Sequence, residues 1–182
     1  MTWLVIKWFL LAPVSTFMAV FARLICPILP LFANEEGWLP KWLWWFQTPG
    51  DSLDGDNHSW ERNPGTDAWS TYKRRVAWLW RNAGYGFDMR VCGIEVDPDI
   101  DRIISNGNED IGDNTGISGT CRWYAFKGES DEVIAWQFMF VWHYDIFKWH
   151  KCVRIGAGWK IWSDEPLRLE PAQYWIYFNL FK

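Results

Sequence analysis

The first 33 residues carry only two charged side chains, Lys7 and Arg23, and run at once into Gly37-Trp-Leu-Pro-Lys-Trp-Leu-Trp-Trp-Phe46, a cluster of rings of the kind that settles at a membrane surface. Trp8 to Ala22 is uncharged but shorter than the roughly 20 residues that cross a bilayer core. Lys7 and Arg23 can snorkel outward, which extends the apolar span from Trp3 to Phe21. Pro13 is expected to kink that helix. Pro27 and Pro30 should end it and lay the stretch to Ala33 along the interface. The expectation is an apolar anchor over 1–33, with Trp3, Lys7, Trp8, Arg23, Trp38, Lys41, Trp42, Trp44, Trp45 and Phe46 at the membrane interface. Two readings compete with it. A cleaved signal peptide would use Leu31 and Ala33 as its small-residue site, but Arg23 interrupts the apolar region and the segment is long. A buried core helix also fits, because apolar runs shorter than a span often are one.

The chain has 182 residues, so the portion beyond the leader is long enough for one ordinary domain. A mean hydropathy of -0.19 argues against several spans. The net charge of -4 lacks the basic face that nucleic acid demands. Four cysteines, at 26, 92, 121 and 152, form no Cys-x-x-Cys pair. Three lie beyond the leader, an odd number that favours reduced, buried thiols and a cytoplasmic domain. Basic residues flank the apolar run almost equally, so the positive-inside rule is silent and the cysteines decide the orientation.

Pro40 can open a short amphipathic helix through Phe46, lying on the membrane or capping a core. Thr48 to Asp56 is dense in turn formers. From an N-cap at Thr66 or Asp67 to Asn82, Trp69, Tyr72, Val76, Leu79 and Trp80 recur at helical spacing, with Gly84 just beyond. From Phe87 the period changes to two, predicting strands near 87–96, 117–127, 132–144, 149–162 and 173–180. Both sides of the 132–144 segment are apolar, so it should be central and covered on both faces. The expected fold is α+β: an N-terminal apolar anchor helix, one to two further helices, then a mainly antiparallel sheet of about five strands. The organisation is an anchor over 1–33 and a single soluble domain over 34–182, with an interfacial Trp-rich segment at 37–46.

Few residues suggest chemistry. With a four-residue turn over 145–148, Tyr144 pairs with Trp149, His143 faces His150, and Val141 faces Cys152. That would place two imidazoles and a thiol, zinc-type ligands, on one side. The spacing matches no familiar zinc pattern, and an ordinary cross-strand pair is the simpler account. The acidic stretches at Asp51, Asp54 and Asp56 and at Asp97, Asp99, Asp101, Glu109, Asp110 and Asp113 offer oxygens of the kind that hold calcium. The EF-hand pattern fails there, since the required Gly is Arg102 and position twelve is Asn108. No cofactor is expected. The chain has no Gly-x-Ser-x-Gly elbow, phosphate loop, dinucleotide fingerprint or His-Glu-x-x-His. A pair of carboxylates from Asp51, Asp54, Asp56 and Glu61 acting on sugar is the enzyme reading.

Three segments, Trp45 to Asp56, Arg74 to Phe87 and Gly158-Trp-Lys-Ile-Trp162, resemble a family of uncharacterised small membrane proteins of tailed bacteriophages. The likeness runs over nearly the whole chain. Asn82-Ala83 and Asn179-Leu180 stand where that family's pattern leads us to expect Asn-Pro. The resemblance implies a phage origin and the host cell inner membrane, and brings no catalytic residues. Together these readings predict a membrane-anchored phage accessory protein, a non-catalytic binding module whose partners are the lipid bilayer and a host or phage protein. Asp51, Asp54, Asp56, Arg74, Arg75 and Arg81 are its expected partner-binding surfaces. The alternatives are a minor virion structural protein with an apolar arm and a carbohydrate-active hydrolase.

Overall fold

A computed structural model of the chain describes residues 1–161 and 171–181. Trp162, the end of the third motif and of the expected strand 149–162, lies outside them. The elements are α1 (Thr2–Ile25), a 3-10 turn (Leu29–Phe32), a 3-10 helix (Lys41–Phe46), α2 (Asn57–Arg62), α3 (Ala68–Arg81) and α4 (Tyr85–Arg90). After them come the strands β1 (Arg102–Gly107), β2 (Gly119–Phe126), β3 (Val133–Ile146), β4 (Trp149–Trp159) and β5 (Tyr174–Asn179). This is an α+β fold with an apolar N-terminal helix and a five-stranded antiparallel sheet. Instead of an anchor followed by one domain, the chain forms two compact units. One contains residues 1–10 and 93–182, the other 11–92, so α1 contributes to both.

In the sheet unit the strands form a meander in chain order, with β3 central. Alternation places Cys121, Trp123 and Ala125 of β2 on one face with Ala135, Gln137, Met139 and Val141 of β3, all buried. The expectation of a second covered face is not met. Trp136, Phe138 and Phe140 are only half-buried, and Trp142 is exposed. An apolar residue set reads as two-sided burial, but what this unit lays on that face is the first part of α1. Trp8 stands over it, its indole nitrogen donating to the Trp175 carbonyl at 3.1 Å, while the Tyr174 hydroxyl donates to the Trp8 carbonyl at 3.1 Å. The Trp8 ring stacks on Tyr174, with centroids 6.0 Å apart, and tilts towards Trp136 at 5.8 Å.

The β3–β4 hairpin turns through Phe147 and Lys148 alone, closed by the pair Ile146↔Trp149. Phe147 takes φ 56°, a conformation that costs a bulky residue on the order of 1 kcal/mol or more. Tight hairpin turns need such a residue and normally use Gly, Asn or Asp. Turn chemistry therefore favours the expected four-residue turn, and the true register is shifted by two from it: His143 pairs with Cys152 and Asp145 with His150.

In the helical unit, Asp67 caps α3 as expected, its carboxylate accepting from the backbone of Trp69 and Ser70 at 3.0 and 3.1 Å. Gly84, at φ 86°, supplies the left-handed residue between α3 and α4. The core gathers Ala22, Cys26, Leu29, Leu39, Leu43, Phe46, Leu53, Trp78, Leu79 and Ala83. The expected strand at 87–96 is instead α4 followed by irregular chain. Gly86 lets α4 sit against the 3-10 helix, since a Cβ there would lie 2.4 Å from the Gln47 carbonyl oxygen and 2.5 Å from that of Trp44. Arg90 fixes the contact by donating to the Trp44 carbonyl at 2.7 Å. Tertiary fit overrides the strand propensity of those residues. The fifth strand is β1, in a stretch whose acidic flanks read as loop.

In the sheet unit, a Cβ on Gly156 would lie 2.2 Å from the buried Trp175 ring. Gly156→Ala should therefore destabilise the protein by about 1–3 kcal/mol through overpacking, read as a lower urea midpoint with an unchanged slope.

Candidate functional site

Helix α1 has one buried stripe and a wide apolar remainder. Trp8, Ser15 and Ala22, seven residues apart, are buried, the spacing of a single seam along a helix. Around them Trp3, Ile6, Phe9, Leu10, Val14, Phe17, Val20, Phe21 and Leu24 are exposed. The helix is long and apolar enough to cross a membrane. In the helical unit the apolar surface continues. Phe17 stacks on Phe21, with centroids 6.3 Å apart, and Phe21 lies 6.0 Å from Phe46. Beyond α1, exposed Phe32 meets exposed Trp42 edge-on at 5.6 Å.

Of the residues expected at a membrane interface, Trp3, Trp38, Lys41, Trp42, Trp44 and Trp45 are exposed. Lys7 is half-buried with its ammonium 5.8 Å from the Trp159 ring, and Arg23 bonds back to the Ala19 carbonyl at 3.3 Å. Trp8 and Phe46, expected at the interface, are instead buried: both belong to packing seams, Trp8 with its indole donor satisfied internally.

The expected partner-binding residues other than Asp51 are engaged with one another. Arg74 and Arg75, expected on a solvated basic face, are both buried. Asp54 accepts two bonds from Arg75, at 2.8 and 3.0 Å, and lies 3.5 Å from Arg74. Arg75 also donates to the Asn34 and Glu35 carbonyls, and Arg74 to those of Asn63 and Gly65. Arg74 further stacks on Trp60 at 3.5 Å. Such five-donor forks satisfy loop carbonyls that a methylene chain could not. Arg81, which is more exposed, pairs with Asp56 at 2.7 Å. Burial pushes the Asp54 carboxyl up, but the bonds and charges of Arg75 and Arg74 outweigh it and hold its pKa below the usual range. For Asp56, slight burial is likewise outweighed, by Arg81 and the Ser59 bonds, which lower it to about 2. Asp51 moves the other way, raised by burial and by the nearby Asp56. With Asp54 and Asp56 both engaged as ionised acceptors, and Glu61 3.7 Å from His58, the expected sugar-cleaving carboxylates are not set as an opposed acid and base.

Next to this network, α2 and α3 border an open cavity of about 520 Å³. Tyr72, Val76 and Trp80 give it an apolar floor, and Arg62, Lys73 and Arg81 supply cations, with no carboxylate among its described lining residues. The sequence gives no sign of it, because α2 is a single short element within turn-forming residues.

The zinc-type set is not assembled. His143 Nε2 lies 2.9 Å from the Gly112 carbonyl oxygen, and His150 Nδ1 contacts Asp145. The acidic stretch is occupied in turns: Asp101 accepts from the backbone of Asp97 and Gly128, Glu109 from the Ser105 hydroxyl, and Asp113 from Arg154. Among the described residues, no group of three potential ligands converges.

A family model, the family of unknown function DUF7338, matches residues 1–182. The chain belongs to that family. No curated protein and no solved structure matches it.

Asp54 and Asp56 both have lower pKa values folded than unfolded, so they contribute stability that is fully present above the unfolded value and lost as the pH falls. Unfolding free energy should therefore decline from about pH 5 downward, through the folded Asp56 value of about 2, and the double variant Asp54→Asn, Asp56→Asn should flatten that slope. Removing the carboxylate alone, as Asp54→Ala, strands two guanidiniums and should cost about 3 kcal/mol in denaturant titration near neutral pH.

Proposed function

We propose that the protein is a membrane-anchored, non-catalytic binding module. The carrying observation is the exposed face of α1: nine large apolar side chains outside the seam of Trp8, Ser15 and Ala22. In water such a face is an aggregation hazard, and in the hydrocarbon or headgroup region it is stabilised. The exposed Trp42, Trp44 and Trp45 of the helical unit suit the headgroup level, where amphipathic rings concentrate. In this reading, and under the phage resemblance, the membrane is the host inner membrane. The three buried cysteines beyond residue 33, Cys92, Cys121 and Cys152, suit a soluble part on its cytoplasmic side. The binding surface is the α2–α3 cavity, whose cations and apolar floor fit an acidic, partly apolar segment of a host or phage protein.

On expression in bacteria and fractionation, the full chain should sediment with membranes and resist a high-salt wash. Phe9→Asp, Phe17→Asp together should move most of it to the soluble fraction while the far-ultraviolet spectrum stays folded. Recovery of the unaltered chain as a soluble monomer would sink the proposal.

A further inference from the structure

The open face of the sheet extends past its neighbours. β2 pairs with β3 only as far as Val141, and β5 with β4 only as far as Arg154. Beyond those rungs β3 and β4 continue as a two-stranded ribbon to the turn at Phe147. The ribbon exposes rings from its base to its tip: Trp142 at the base is 54% exposed, and Trp149 and Phe147 at the tip are 72% and 100% exposed. Phe147 also holds a positive φ that glycine would take without strain. Folding stability explains neither the bulky residue nor its exposure.

The charges on the same face have one sign. Among the described residues, the side chains that alternate onto it from the five strands include Arg102, Arg122 and Lys151, and no carboxylate. Arg102 is committed to Asp131 at the far end. Arg122 and Lys148 are exposed, and Lys151 lies over the Trp149 ring at 5.9 Å. Ring, alkyl stem and ammonium at one depth are what a headgroup layer accommodates. The acid near the tip, Asp145, belongs to the other face and contacts His150 there. Within this unit the face is also continuous with the start of α1, where Trp8 rests on it and Trp3 and Phe9 are exposed.

We propose that this face and the hairpin tip at Phe147 form a second membrane contact, seating the sheet on a bilayer surface rich in anionic phospholipid. Phe147, Trp149 and Trp142 enter the headgroup boundary, and Arg122, Lys148 and Lys151 meet the lipid phosphates. The contact rests on the anchored reading of α1 but is separable from it.

The test uses the full chain reconstituted into vesicles of phosphatidylcholine with or without about a third phosphatidylglycerol, a content chosen to give a strongly negative surface. An environment-sensitive fluorophore is placed through Phe147→Cys, or in a parallel sample through Phe9→Cys, and quenched by brominated lipid. Expected is quenching at both positions in anionic vesicles, with the position-147 signal falling at least threefold in neutral vesicles. The same fall is expected in the variant Arg122→Glu, Lys148→Glu, Lys151→Glu, while the position-9 signal persists. Quenching at position 9 without quenching at 147 overturns this contact and leaves the anchor standing. Quenching at neither overturns both. A position-147 probe shielded from aqueous iodide but untouched by brominated lipid means that a second copy or another protein covers the face, which also overturns it.

Discussion

The architecture depends on one helix with two kinds of surface. Trp8, Ser15 and Ala22, flanked by half-buried residues such as Leu4, Leu11 and Met18, give α1 a seam against protein, and its opposite side exposes nine large apolar side chains. Burying a large apolar side chain is worth roughly 1.5–3 kcal/mol, so a face of this size dominates where the molecule resides. The polar tethers at Trp8, through Trp175 and Tyr174, hold the start of that helix to the sheet. In the proposed reading, a helix held along protein at its start lies in the interface, which satisfies both surfaces at once. The same proposal accounts for the half-open sheet face beneath Trp8 and for the rings of 42–45, each within its own unit.

The helical unit solves a different problem. It contains short elements joined by turns, with few ladders to satisfy loop carbonyls. Arg74 and Arg75 supply the donors, reaching Asn34, Glu35, Asn63 and Gly65, and Asp54 offsets one of their two charges. A buried pair of this kind costs desolvation and gives little net stability, but it leaves one arrangement in which every loop is bonded. That places the loop from 48 to 56, rich in acidic residues, in a structural role. Asp56 of that loop holds Arg81 at the edge of the α2–α3 cavity, which leaves Arg62 and Lys73 as its cations without a carboxylate among its described lining residues.

The long apolar helix, the capped α3 and four of the five strands are legible from period, caps and turn formers. β3 as the central strand follows from an apolar run interrupted only by Gln137 between Val133 and Trp142. Where local pattern misleads, a nonlocal contact decides. Phe87 to Arg90 resemble strand residues, yet Gly86 permits a close approach to the carbonyls of Trp44 and Gln47 and the segment coils. β1 is short and flanked by acids, and only pairing with β2 identifies it. Arg74 and Arg75 sit in a cluster of a kind that usually faces solvent, and their burial depends on Asp54, some twenty residues earlier. The β3–β4 register is hidden because Phe147 occupies a turn position that chemistry reserves for smaller residues. That departure from local preference marks the tip as a place where something other than folding set the residue.

The most direct test of the account is site-specific photocrosslinking along α1 in living cells. A benzophenone side chain introduced at Phe9, Phe17 or Phe21 should yield phospholipid adducts on irradiation, whereas the same group at Ser15 or Ala22, on the buried seam, should yield none. Adducts to protein alone at the exposed positions, or equal lipid yields all around the helix, would contradict the claim that this one face meets the bilayer.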